Sequence, residues 1–317
     1  MGARHARAYT TQQPGVRVVL VDRRRAVAAA LARSLAGAEV ASPAEYARME
    51  GLAGVDVCTP PAEHARLVAA ALVRGLPTLC ETPLATRPGD EAALLGGDGG
   101  GAWLGVGYPY RHHPAMRWVG RMLAEGRVGR PFAAYLRLGV IGGRSAWQHR
   151  LGREGGGVGS EVLAHLADLA LGWFGPVASV RLLATDVARP VRRVRGRWLH
   201  IAAPDTAVVE VVHESGCHSL LMADLAATSH FHSVEIQGGD GSLWASVRPG
   251  FPGLVHGPGD TEVEWLRPGE PVDTLGSVLA AFLDGLAIGG VPEVLRPRAG
   301  VARILADVEG AMRGEPA

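Results

Sequence analysis

Residues 54–80 read GVDVCTPPAEHARLVAAALVRGLPTLC. A short β-branched run from Gly54 to Thr59 precedes a helical stretch, Ala62 to Arg74, that stops at Gly75, and a second short run, Pro77 to Cys80, follows. Two such runs on either side of a helix make a βαβ unit, whose strands pair in parallel. Toward the N-terminus, Val16 to Asp22 (VRVVLVD) predicts another strand and Arg23 to Leu35 the helix after it. Toward the C-terminus, Trp103 to Val106 predicts one more strand beyond a glycine-rich loop, Gly96 to Gly101. Past Pro114 the texture changes to a helix through Met122 and then longer strands, Phe132 to Val140, Ala207 to His213 and Ser219 to Leu225. Alanine- and leucine-rich helices follow from Leu275 onward. Long strands flanked by helices predict a separate α+β unit. The expected division is 1–110 and 111–317, and 317 residues at 47% hydrophobic content suffice for two cores.

Composition narrows the function. The 32 basic and 31 acidic residues give a formal charge of +1 with no basic tract able to neutralise a run of phosphates, so nucleic acid is not an expected partner. The arginine cluster Val191 to Arg197 is expected to be a solvated loop. Cys58, Cys80 and Cys217 lack CxxC spacing, so neither a disulfide framework nor a cysteine zinc site is indicated. His230 and His232 alternate on a predicted strand and so point the same way, but without a third ligand no metal is expected. Neither a leader segment nor a membrane span is evident, and a cytoplasmic location is expected. The chain contains no lysine, so every basic side chain other than histidine is an arginine that stays charged at working pH.

A Rossmann unit opens with a strand and a GxGxxG turn that brings backbone and helix N-terminus to a pyrophosphate. Met1-Gly2-Ala3-Arg4-His5 looks like the tail of that motif, with Gly2 as its last glycine and Arg4 beginning the helix. Asp22 ends the next strand, about 20 residues on, where an acidic side chain binds the adenosine ribose. Arg23 follows and can hold a 2′-phosphate, so NAD and NADP both stay open. A parallel sheet without its first strand leaves its neighbours unpaired, so Met1 is expected not to be the true start.

The run Cys58-Thr59-Pro60-Pro61-Ala62-Glu63-His64 and the later Glu81-Thr82-Pro83-Leu84-Ala85 resemble the TPxxxH and EKPLA segments of the glucose-fructose oxidoreductase, inositol dehydrogenase and rhizopine catabolism (Gfo/Idh/MocA) family. The resemblance continues through residues 106–111, 155–158 and 161–168 to the strand-turn-strand at 236–243. It implies a Rossmann domain whose first strand is missing here, followed by a domain with a large open, mostly antiparallel sheet. It also implies a nicotinamide cofactor lying along Gly2, Arg4, His5, Asp22, Arg23, Thr59, Pro60, His64, Glu81 and Pro83. A small-molecule substrate and a homodimer or homotetramer are likewise implied.

In that family the EKP lysine assists proton movement, and position 82 here is threonine, which donates one hydrogen bond but does not titrate near neutrality. The aspartate of the family's DxxxH helix is Glu161. Glu161, His165 and Asp168 stand at i, i+4 and i+7, one face of a regular helix. A carboxylate beside the imidazole raises its pKa, making His165 the expected proton donor or acceptor, Glu161 its tuner and Thr82 the holder of the reacting oxygen. Tyr110 and Arg111, just past the last parallel strand, are candidate substrate contacts together with Asp168, and Trp147 and Arg150 are placed to cover a sugar ring. Two readings remain. One is an NAD(P)-dependent oxidoreductase acting on a secondary alcohol, ketone or imine of a sugar, cyclitol or related metabolite. The other is a non-redox, regulatory or ligand-binding pseudoenzyme of the same fold.

Overall fold

A computed structural model describes residues 1–97, 101–141, 146–149, 156–194, 196–248, 253–257, 263–266 and 272–315. The N-terminal lobe runs α1 (Gly2–Gln12), β1 (Val19–Val21), α2 (Arg25–Ala32), β2 (Glu39–Ala41), α3 (Pro43–Arg48), β3 (Val55–Val57), α4 (His64–Val73), β4 (Thr78–Cys80), α5 (Pro88–Gly96) and β5 (Leu104–Val106). Local chemistry marks the ends of two of these helices. Ser42 caps α3 through a reciprocal capping box with Glu45, and Gly75, at φ +71°, ends the segment after α4. The strands form two parallel sheets, β1-β2 and β3-β4-β5.

The second lobe runs α6 (Pro114–Ala124), β6 (Pro131–Ile141), α7 (Ala164–Phe174), β7 (Val177–Asp186), β8 (Val191–Val194), β9 (Arg197–His200), β10 (Thr206–His213), β11 (His218–Asp224), β12 (Ala226–Gly238), β13 (Gly241–Ser246), β14 (Gly253–His256) and β15 (Val263–Leu266), and the chain ends in α8 (Thr274–Ile288) and α9 (Val301–Met312). Eight strands make one sheet in the order β15-β14-β13-β12-β6-β11-β10-β7, antiparallel throughout except for the parallel pair β11-β6. Alternation decides which face is covered. Ala134, Leu136 and Leu138 of β6 face the helices with Leu221 and Ala223 of β11 and Val234 and Ile236 of β12, and all are buried. A fully buried leucine contributes roughly 1.5–3 kcal/mol, so this face anchors the main core.

Three expectations are corrected. Within the arginine cluster, Val191–Val194 and Arg197–His200 are the paired strands β8 and β9 rather than a solvated loop, and Arg192 is drawn inward to a buried ion pair with Asp205 and donates to Leu225 O at 3.0 Å. His230 and His232 do not share a face: a register shift in β12 between Ala226 and Phe231 leaves His230 exposed and His232 buried. The boundary expected at residue 110 places α8 with the second lobe, yet α8 packs on the N-terminal sheet. Val278, Leu279 and Phe282 of α8 form a second core with Tyr9, Leu79 and Leu295, and Gln12 Nε2 donates to Gly276 O at 2.9 Å. Glycine makes that approach possible, since a Cβ at Gly54 would lie 2.9 Å from Leu286 Cδ2.

Candidate functional site

The carboxyl ends of parallel strands open onto the ligand crevice of a doubly wound fold. Here β3 delivers Cys58 and Thr59, β4 delivers Glu81 and Thr82, and β5 delivers Gly107 and Tyr108. Helix α1 reaches the same edge with its first turn. His5, buried in that turn, sits between two carboxylates, with Nδ1 2.8 Å from Asp56 Oδ2 and Nε2 2.8 Å from Glu81 Oε1. Burial alone would lower the His5 pKa, but hydrogen bonds to Asp56, Cys58 and Glu81 outweigh it and push it up to about 12. His5 is therefore an imidazolium, and its charge keeps the Glu81 carboxyl below the usual range despite burial. Glu81 Oε2 also accepts from the Thr82 amide at 3.1 Å. This fixed negative charge stands where the absent lysine would have been one residue away.

The second lobe contributes the opposite wall. Between residues 159 and 163 the chain makes a wide π turn before α7 begins. A π turn is wound wider than an α-helix, so Glu161 stands outside the regular phase of α7, in which His165 and Asp168 lie one turn apart. Glu161 accepts a short hydrogen bond from Gln148 Nε2. Burial, reinforced by the charge on Glu81, pushes the Glu161 carboxyl up to about 7. His165, half-buried, packs edge-on against Tyr108 and Tyr110, at 5.9 and 5.4 Å between ring centres. Burial lowers its pKa although Glu81 and Asp168 pull the other way, and its Nδ1 has no hydrogen-bond partner among the described residues. The expectation that Glu161 raises the His165 pKa is thus corrected: the histidine is neutral, and the carboxyl is the group poised near pH 7.

Asp168 and Arg111 are also corrected as substrate contacts. They form a buried two-pronged ion pair, with Arg111 Nε 2.8 Å from Asp168 Oδ2, and Arg111 Nη1 donates to the Arg296 and Val294 carbonyls at 2.6 and 3.2 Å. Their polar atoms are satisfied inside the protein. The same holds for His64, fully buried, whose ring bridges Pro83 O at 2.7 Å and Thr59 O at 2.8 Å, tying the loops after β3 and β4 together. His5 and Glu81 are likewise engaged with each other rather than presented outward. Thr59 is exposed, and Pro60, Thr82 and Tyr110 are partly open, whereas Pro83 is buried. Only the backbone of Trp147 is described, and Arg150 lies outside the described residues, as does Gly155. Sequence reasoning missed Gln148 and the π turn. The glycines at 156, 157 and 159, which permit a widened turn, were the available signal.

For a nicotinamide dinucleotide the chain offers two fitting features. Helix α1 starts with no side-chain cap and no acidic residue in its first turn, and exposed Arg4 stands beside it, which suits a diphosphate. Half-exposed Asp22 follows β1, its Oδ1 held at 2.7 Å by the Arg24 amide, with Arg23 exposed next to it.

Comparison with known proteins agrees with this architecture. Residues 1–95 match the model of an oxidoreductase family with an NAD-binding Rossmann fold, and residues 116–244 match the GFO/IDH/MocA C-terminal domain. D-apiose dehydrogenase of Paraburkholderia graminis is 31% identical over 209 residues, 62% of this chain and 52% of that protein. Inositol 2-dehydrogenase 1 of Saccharopolyspora erythraea is 36% identical over 141 residues, 41% of this chain and 40% of that protein. The chain thus spans about half the length of the curated relatives it matches. Among solved structures, an oxidoreductase domain protein from Kribbella flavida superposes with a TM-score of 0.83 at 22% identity, covering 99% of this chain and 94% of the other. Levoglucosan dehydrogenase in complex with NADH and L-sorbose gives 0.82 at 21%, covering 99% and 95%. With both its NAD-binding and its C-terminal domain matched, the chain belongs to the Gfo/Idh/MocA family of oxidoreductases.

Proposed function

We propose that this chain is an NAD(P)-dependent oxidoreductase that moves a hydride to or from a secondary alcohol, ketone or imine of a sugar, cyclitol or related metabolite. The observation that carries the reading is that Glu161, with its pKa near 7, and His165, with an Nδ1 unpartnered among the described residues, both lie within reach of the charge on Glu81. Bound NAD(P) supplies the hydride donor or acceptor. Glu161 gives the proton to, or takes it from, the reacting oxygen or nitrogen through its carboxyl. Neutral His165 holds that atom by a hydrogen bond, and Thr82 supplies one more from its hydroxyl. Tyr108 and Tyr110 wall the site and limit water around these groups. The relatives' names, D-apiose dehydrogenase and inositol 2-dehydrogenase, support polyols and their ketones as the class to try first.

Threonine in place of the lysine favours a second reading, a ligand-binding pseudoenzyme, and one assay separates the two. Purified protein is mixed with NAD or NADP, oxidised and reduced, and a panel of aldoses, cyclitols, keto sugars and imines, and reduced-nicotinamide absorbance is followed. Turnover is expected with at least one pair. Cofactor or sugar binding by calorimetry with no turnover anywhere would establish the second reading instead.

We further propose that the uncovered face of the large sheet pairs copies of the chain into a dimer or tetramer. Tyr135 of β6 and Met222 of β11 are 45% and 38% exposed on that face, beside Leu220 and Trp244. Apolar side chains facing water at the centre of a sheet mark an interaction surface. Sedimentation at micromolar concentration is expected to give a dimer or tetramer, shifted toward monomer by Y135R/M222E. A monomeric parent protein would remove this proposal. No helix among the described residues is long and apolar enough to cross a membrane.

A further inference from the structure

His5 comes from the first turn of α1 and Asp56 and Cys58 from the end of β3, and their side chains meet beneath the crevice edge. His5 Nδ1 lies 2.8 Å from Asp56 Oδ2 and 3.3 Å from Cys58 Sγ, and that sulfur lies 3.3 Å from Asp56 Oδ1. One ligand atom from each residue falls within 4.8 Å of the others. We propose that these three side chains bind a single divalent cation of the zinc type, with a solvent molecule completing a four-coordinate shell.

The donor set fits that ion. Zinc takes imidazole nitrogen, thiolate sulfur and carboxylate oxygen in tetrahedral sites, and the combination of a thiolate with an imidazole disfavours magnesium and calcium. Bond lengths of about 2.0–2.3 Å require ligand separations of roughly 3.3–3.6 Å, so His5 Nδ1 has to part from Asp56 Oδ2, now at 2.8 Å, by about 0.5 Å and from Cys58 Sγ, now at 3.3 Å, by about 0.3 Å, while one atom of each residue already lies within 4.8 Å of the others. The surroundings are those that orient metal ligands. The far nitrogen of His5 is bonded to Glu81 Oε1 at 2.8 Å, the carboxylate–histidine arrangement that fixes a coordinating imidazole, and the Tyr9 hydroxyl donates to Asp56 Oδ2 at 2.8 Å. Charge is conserved as well. Entry of a dication displaces the proton on His5 Nδ1 and the thiol proton of Cys58, so the cluster with Glu81 carries one net negative charge before and after. A CxxC search overlooks the set because its members stand at residues 5, 56 and 58.

Chelator-stripped protein titrated with cobalt(II) chloride tests the assignment. One equivalent is expected to bind, giving a sulfur-to-cobalt charge-transfer band in the near ultraviolet and visible bands of four-coordinate intensity, all bleached by zinc chloride. C58S is expected to abolish the charge-transfer band. E81Q is expected to keep it while weakening affinity about 10–100-fold, as loss of an orienting partner does. Because the chain has three cysteines, the double variant C80S/C217S leaves Cys58 as the sole thiol and is expected to retain the band, a result that stands even where C58S does not fold. Failure of the folded parent protein to hold one equivalent, a band that survives in C58S, or a band lost in C80S/C217S would each overturn the proposal.

Discussion

E161Q is expected to lower kcat/KM by about 10²–10⁴ at neutral pH, the usual range for loss of a positioned acid or base. Glutamine keeps the shape but carries no titrating proton. The pH profile distinguishes this from a merely structural effect. With the Glu161 pKa near 7, alcohol oxidation, which needs the carboxylate as base, should rise with pH through about 7. Reduction, which needs the protonated form, should fall over the same interval. Both limbs should vanish in E161Q, whereas H165A should lose rate yet keep them, because burial holds the His165 pKa down. A limb near 7 that persists in E161Q and disappears in H165A would return the proton-carrying role to the histidine. Stability follows the same group. Its folded pKa lies above the ordinary value of 4.5, so ionisation in the folded state is disfavoured. The parent protein therefore loses stability as pH rises from about 4.5 through 7, and E161Q should show less of that loss.

D168N is expected to destabilise the fold by about 3–5 kcal/mol, the cost of removing one member of a buried ion pair. Asp168 is 1% exposed, paired with Arg111 by two contacts, and Arg298 Nη1 lies 3.3 Å from its Oδ2. Removing the carboxylate strands the Arg111 guanidinium where water cannot reach it. The double change R111M/D168L removes the two fully buried charges and should recover much of the loss, with only the partly exposed Arg298 left without its carboxylate. Chemical denaturation read by tryptophan fluorescence measures both variants. If D168N and the double change cost the same, the loss comes from packing and not from an uncompensated charge.

The N-terminal βαβ pattern was legible because a strand-helix-strand unit states itself locally in periodicity and stop signals. Every predicted strand there recurs, shortened at its ends, as with Val16 to Asp22 contracting to Val19–Val21. Residues 177–186 went unassigned as a strand because only Val177 in it is fully buried, so no alternation marks it out. Within the candidate site, the sequence brings out Glu161 and His165 as titratable residues but not the geometry that holds them. A π turn depends on tertiary packing and leaves no fixed spacing in sequence. Arg111 illustrates the opposite failure. Its position past the last parallel strand suggested a ligand contact, and only the fold reveals Asp168, 57 residues away, as its partner.

Helix α8 lies against the amino-terminal lobe, while α9 packs on α7 and β7 of the other and also touches α5 of the first, where Glu91 accepts from the Gly300 and Ala302 amides. The backbone thus passes from one lobe to the other after β5, before α8 and again before α9. Two bodies laced together at several points are more restrained against sliding and twisting than two joined by a single linker. Clipping the chain at any one of these passages is expected to leave the two lobes still joined by the others.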